Sequence, residues 1–229
     1  MDANTVRTVV LFLPALVFSL CVHEYAHAWM ATRLGDSTPG RQGRLTLSPM
    51  AHVDPIGSLL LPVLMLIGGG FIFGWAKPVQ FNPANFRRSL TMRQGAALTA
   101  AAGPGSNVLL ALVALVVLRF GSDMGWVGQA SALAGQAPML TRFLLALVEL
   151  NVLLAVFNLL PLPPLDGSYL LPRSMDGAKA WLSRYSFLIF LALFFLPLPG
   201  LGAPLGSIML GPMMHGLRDA LVAVAFADL

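Results

Sequence analysis

Three residues near the start of this chain form a pattern with a clear chemical use. His23-Glu24-Tyr25-Ala26-His27 fits H-E-x-x-H. On a helix, positions four apart share a face, so both imidazoles can reach one metal ion. Glu24 lies beside that face, placed to take a proton from water at the metal. Zn²⁺ suits the pattern, because it lowers the pKa of such a water toward about 7.

A catalytic zinc site needs a third protein ligand and one open position. Asp54, Glu149, Asp166 and His52 are the candidates. Asp54 precedes an apolar stretch beginning near Ile56 and equally suits the cap of a helix there. Glu149 lies inside an apolar run without a flanking break and better suits a packing or pairing role. His52 better suits an ordinary loop. Asp166 stands out because Pro161, Pro163 and Pro164 come just before it. Prolines break a helix and free backbone carbonyls, which membrane depth tolerates only in buried protein or around a cavity. A carboxylate there is well suited to bind metal. Asn107, in an apolar run, either pairs within the core or serves the site.

The elements that must position these residues are membrane helices. Hydrophobic residues make up 57% of the chain and charged ones 10%, where soluble domains carry about a quarter charged. Mean hydropathy is +0.77. The net charge of +4 belongs to Lys and Arg between apolar runs, as in cytoplasmic loops, so nucleic acid is not an expected partner. The lone Cys21 forms no internal disulfide and no metal cluster. Ala26-His27-Ala28 mimics a signal-peptide cleavage site, but Asp2 offsets Arg7 and leaves a weak basic region. The first run is therefore read as a retained helix.

That helix is expected from about Thr8 to Leu34, with Gly35 as its C-cap residue. Gln94 to Leu118 and Phe143 to Leu160 read as further spans. Ile56 to Ile67 is too short to cross and reads as re-entrant. Tyr185 to Leu217, split by Pro197, Pro199 and Pro204, reads as a short span followed by an amphipathic or re-entrant helix. Residues 43–48 alternate as a short strand would, and Phe71 to Phe81 reads as an aromatic-rich edge strand limited by Pro78. With the 56–67 stretch re-entrant, most Lys and Arg residues fall on the side of Gly40, and Arg7, Arg119 and Arg142 fall opposite. The N-terminus is then outside and the metal nearer the cytoplasmic face.

His23-Glu24-x-x-His27 together with Asn158-x-x-Pro161-x-Pro163-x-Leu165-Asp166-Gly167 resembles the site-2 protease family of intramembrane metalloproteases. Gly103-Pro104-x-x-Asn107 resembles the same family, and residues 68–83 look like its membrane-associated β-hairpin. The resemblance covers most of residues 8–172. It implies an all-α multi-pass membrane protein of about four to six helices with a small β-hairpin before the Gly-Pro helix. The chain is expected to be a single protease domain over 1–229, with its core in 8–172 and C-terminal helices in 183–228, and without PDZ or nucleotide-sensing domains. The resemblance assigns one Zn²⁺ per chain to His23, His27 and Asp166, and base duty to Glu24. It gives Asn158 the task of orienting substrate or stabilising the oxyanion. Phe71, Ile72 and Phe73 are candidate substrate contacts by strand pairing. Expected partners are membrane-anchored protein substrates and the lipid bilayer of a prokaryotic plasma or inner membrane. A small transporter shares the broken helices and buried carboxylates but does not account for H-E-x-x-H with Leu-Asp-Gly. A non-catalytic binding partner with a protease fold is the other alternative; the presence of all four expected residues argues against it.

Overall fold

The structure is a computed structural model that describes residues 3–67, 74–125 and 138–195, with a few isolated positions between 212 and 223. Three helices are long and apolar enough to cross a membrane: Val6–Arg33, Met92–Gly121 and Met139–Asn158. The first belongs to the N-terminal helix Ala3–Arg33, and the second to the Gly-Pro helix Met92–Asp123. A fourth helix covers Asp176–Phe195. The apolar stretch after residue 54 forms one turn of π-helix, Pro55–Leu60, that runs into an α-helix, Leu61–Ile67. At about 1.5 Å per residue this is shorter than a bilayer core.

Packing of the three long helices explains the site. Their shared core contains Ala15, Leu16 and Leu20, then Ala111, Ala114 and Leu118, then Leu144, Leu147 and Val148. On the Gly-Pro helix the buried apolar residues Ala96, Ala100, Ala111 and Ala114 are small, with Leu118 the one large exception, while Leu109, Leu112, Val113, Val116 and Phe120 are exposed. Large apolar side chains outward and small ones inward suit helices that associate within lipid, where backbones gain by close approach. His27 meets the backbone of Thr99 and His23 meets Asn107. Residue numbers fall along one helix as they rise along the other, so the Gly-Pro helix runs antiparallel to the first. Asn151 meets Ser19, and the chain leaving Asn158 reaches the histidines at Asp166. The third long helix therefore runs parallel to the first.

A buried carboxylate ties the end of the first helix to the segment before the Gly-Pro helix. Gly35 turns the chain with φ at 113°, and Arg87 N–H donates to Leu34 O. Asp36 then accepts from Thr38 N–H, Thr38 Oγ1, Asn82 N–H and Asn85 Nδ2. Burial alone would raise its pKa; the donors from Asn85, Thr38 and Asn82 outweigh this and hold the carboxyl below its ordinary value.

The strand expectations fare differently from the helical ones. Residues 43–48 form a turn and bends, because their polar groups are drawn inward rather than into a ladder. Arg44 donates to Ala51 O and Lys77 O, and Thr46 O pairs with His52 Nε2. Among the described residues there is no strand. Phe71, Ile72 and Phe73, with the rest of 68–73, lie outside them. Residues 74–82 lack regular structure, yet they are anchored at alternate positions. Trp75 N–H donates to Gly57 O, Lys77 N–H to His52 O, and Val79 N–H to the Glu24 carboxylate. Pro78 has no N–H to add to a ladder.

Candidate metal centre

The first helix brings its two histidines to one point, as the i, i+4 spacing requires. His23 Nε2 and His27 Nε2 lie 3.0 Å apart. The break after the third long helix brings Asp166 to the same point, with Oδ2 3.2 Å from each Nε2. A tetrahedral zinc site with bonds of about 2.0–2.1 Å has neighbouring ligand atoms roughly 3.3 Å apart. The three atoms match that triangle. They are also the one group of metal-ligand type among the described residues.

The polarity of the three atoms argues for a cation more strongly than their spacing. His27 Nδ1 lies 2.7 Å from Thr99 O. A carbonyl only accepts, so Nδ1 carries the proton and Nε2 presents a lone pair. His23 Nδ1 lies 2.6 Å from Asn107 Oδ1, which gives His23 the same tautomer. Asp166 Oδ2 is buried without a hydrogen-bond partner. Three acceptors thus converge with no donor between them. Such an arrangement is repulsive unless a cation sits among them, and it fits Zn²⁺.

Two glycines make this convergence sterically feasible. A Cβ on Gly103 would lie 2.4 Å from His27 Nε2 and 2.6 Å from His23 Cε1. The Gly-Pro helix therefore presses bare backbone against both imidazoles. A Cβ on Gly167 would lie 2.2 Å from Leu159 O. That glycine lets the chain fold back over the end of the third long helix and bring Asp166 in.

Glu24 is buried, and its Oε2 accepts the Val79 N–H at 2.9 Å. Asn158 is the last residue of its helix. It is half-buried, and its Nδ2 donates to Leu154 O at 2.9 Å. The other carboxylate and histidine candidates stand apart from the metal group. Asp54 caps the turn at Pro55, accepting from Ile56 and Gly57 N–H. His52 is buried, paired with Thr46 O. Glu149 lies partway along the third long helix. Thr99, Gly103, Val79 and Asn151 serve the site without being singled out for these roles by the sequence. Asn151, a polar residue in an apolar run, and Gly103, in the Gly103-Pro104 element, carried signals that could have been followed.

This chain is similar to proteins whose names describe zinc metalloproteases. It is 37% identical over 215 residues to "Putative zinc metalloprotease YwhC" of Bacillus subtilis (strain 168), covering 90% of this chain and 87% of that protein. It is 33% identical over 210 residues to "Putative zinc metalloprotease Rip2" of Mycolicibacterium smegmatis, covering 85% of this chain and 73% of that one. Rip2 of Mycobacterium tuberculosis H37Rv is 32% identical over 197 residues. No protein-family model matches the chain, and no solved structure matches it.

Proposed function

Because the chain belongs to the zinc metalloprotease family of YwhC and Rip2, we propose that it is a site-2 protease-like enzyme that cleaves membrane-anchored proteins within or near the bilayer. The observation that carries this reading is the convergence of His23 Nε2, His27 Nε2 and Asp166 Oδ2 on one point with no donor among them. Three protein ligands leave the open position that hydrolysis needs, and the long apolar helices around them suit a bilayer. The whole chain acts as one membrane domain with one zinc, its site nearer the cytoplasmic face of a prokaryotic plasma or inner membrane.

A zinc ion held by these ligands supplies Lewis acidity, which makes a water acidic near neutral pH and polarises the scissile carbonyl. Glu24 takes the proton of the attacking water and returns it to the leaving nitrogen. The Val79 N–H holds one oxygen of that carboxylate in place. The Asn158 amide, released from Leu154 O, orients substrate or donates to the developing oxyanion. A substrate helix hides its carbonyls in its own ladder and must unwind locally. Residues 74–81, anchored on one edge at 75, 77 and 79, offer their other edge to the unwound strand, and Phe71, Ile72 and Phe73, which lie outside the described residues, are proposed as further substrate contacts.

The test is a comparison of membrane proteomes from cells expressing the wild type or Glu24→Gln. Anchored proteins should accumulate uncleaved with Glu24→Gln, whose zinc content should equal that of the wild type. Identical cleavage patterns in the two strains would overturn the proposal.

A further inference from the structure

Behind His23 lies a chain of buried amides that the proposed reaction does not use. Asn107 Nδ2 donates to Asn151 Oδ1 at 2.7 Å. Asn151 Nδ2 donates to Leu147 O at 2.7 Å and to Ser19 Oγ at 2.8 Å. Ser19 Oγ in turn donates to Ala15 O at 2.8 Å. Ser19, Asn107 and Asn151 are each 0% exposed. The chain crosses all three long helices and ends on backbone carbonyls.

We infer that Asn107 and Asn151 are positioning residues that fix the tautomer of His23, so that its Nε2 lone pair faces the metal. This inference rests on the zinc protease reading. An isolated Asn could turn either end of its amide toward an imidazole, because its oxygen and nitrogen have nearly the same shape. Here the end of the chain removes that freedom. Leu147 O can only accept, so Asn151 must turn Nδ2 toward it and Oδ1 toward Asn107. Asn107 must then turn Nδ2 toward Asn151 and Oδ1 toward His23. His23 Nδ1 must therefore carry the proton. The direction is set at a helix carbonyl and passed through two amides to the ligand. Metal-bound histidines commonly depend on such an outer acceptor, and its loss costs about 10–100-fold in metal affinity.

Asn151→Leu removes the acceptor for Asn107 Nδ2. The Asn107 amide can then rotate and face His23 Nδ1 with its donor end. The imidazole proton moves to Nε2, where it blocks the metal. Asn151→Asp keeps the direction. Deep burial favours the neutral acid, whose carbonyl oxygen accepts from Asn107 and whose single O–H donates to Leu147 O, the bond that sets the direction.

The experiment measures zinc affinity by chelator competition on the purified full-length chain in lipid nanodiscs, for wild type, Asn151→Leu and Asn151→Asp. Histidine ¹⁵N NMR of the zinc-loaded wild type follows the His23 Nδ1 proton. The expected result is a tenfold or larger loss of affinity in Asn151→Leu, an Asn151→Asp value within threefold of wild type, and a wild-type Nδ1 proton that exchanges slowly with water. Asn151→Leu affinity within threefold of wild type would overturn the inference, whatever its thermal stability. If Asn151→Leu does not fold, the wild type still decides: zinc held through His23 Nδ1, or a freely exchanging Nδ1 proton, overturns it. A wild type that binds no zinc defeats the protease reading itself, whereas one that binds zinc with an indifferent Asn151 defeats only the positioning role.

Discussion

The Val79 N–H donates to Glu24 Oε2 at 2.9 Å, joining a loop residue to a helix residue 55 positions earlier. A hydrogen bond to a charged group contributes about 1.5–3 kcal/mol. If Glu24 is the base proposed above, this bond holds one carboxylate oxygen while the carboxylate handles a proton. Val79→Pro removes this donor in backbone that is already without regular structure. Proteolysis should fall on the order of tenfold or more, with zinc content unchanged. Val79→Ala keeps the N–H and should stay near wild type. Equal turnover of the Pro and wild-type proteins would remove this contact from the mechanism.

Metal content tests the ligand set. His23→Ala, His27→Ala and Asp166→Ala should each lower bound zinc strongly from about one per chain, as expected when one of three ligands is lost. Asp54→Ala should retain zinc, because Asp54 caps the turn at Pro55. Elemental analysis of the purified variants reads both. Full zinc in Asp166→Ala would refute the third ligand.

Gly103 should tolerate no side chain. A Cβ there would fall 2.4 Å from His27 Nε2, and helix backbone cannot yield without parting the two helices. Gly103→Ala should lose zinc and activity together. Gly105, where a Cβ meets nothing within 4 Å, should accept Ala with little effect. Zinc titration of the two variants distinguishes a steric seat for the imidazoles from a general demand for small residues.

Asp36 gives a pH dependence outside the spanning segments. Its pKa is lowered in the folded state, so its stabilisation is present above the ordinary carboxylate pKa of about 3.9 and is lost as pH falls through the folded value. Asp36→Asn should destabilise the protein at neutral pH. The gap between the two melting temperatures should narrow as pH drops below about 4. A constant gap would mean that the charge contributes nothing.

Topology is tested at Gly40, just beyond the metal-bearing end of the first helix. The proposed orientation, which rests on the distribution of Lys and Arg, puts this loop in the cytoplasm. A cysteine placed there should resist membrane-impermeant reagents in intact cells and react after lysis. Labelling of intact cells would invert the orientation.

The sequence by itself determined the metal motif and its helix. The i, i+4 spacing is a local property, and any helix through His23 and His27 puts both rings on one face. It also determined the break that carries Asp166, since Pro161, Pro163 and Pro164 so close together cannot continue a helix, whereas the single Pro14 and Pro104 are carried inside theirs. The Asp54 cap was readable for the same reason. Tertiary structure decided what surrounds these pieces. Asp166 joins the histidines only because the third long helix packs parallel to the first, and Gly103 matters only because another helix presses on it. Residues 43–48 alternate like a strand but turn, because Arg44 and His52 found partners closer than any ladder. The direction of the Asn107 and Asn151 amides depends on a carbonyl in a different helix from His23. Local rules fix what a residue can offer, but a hydrogen bond between distant segments exists only once packing has chosen its partner.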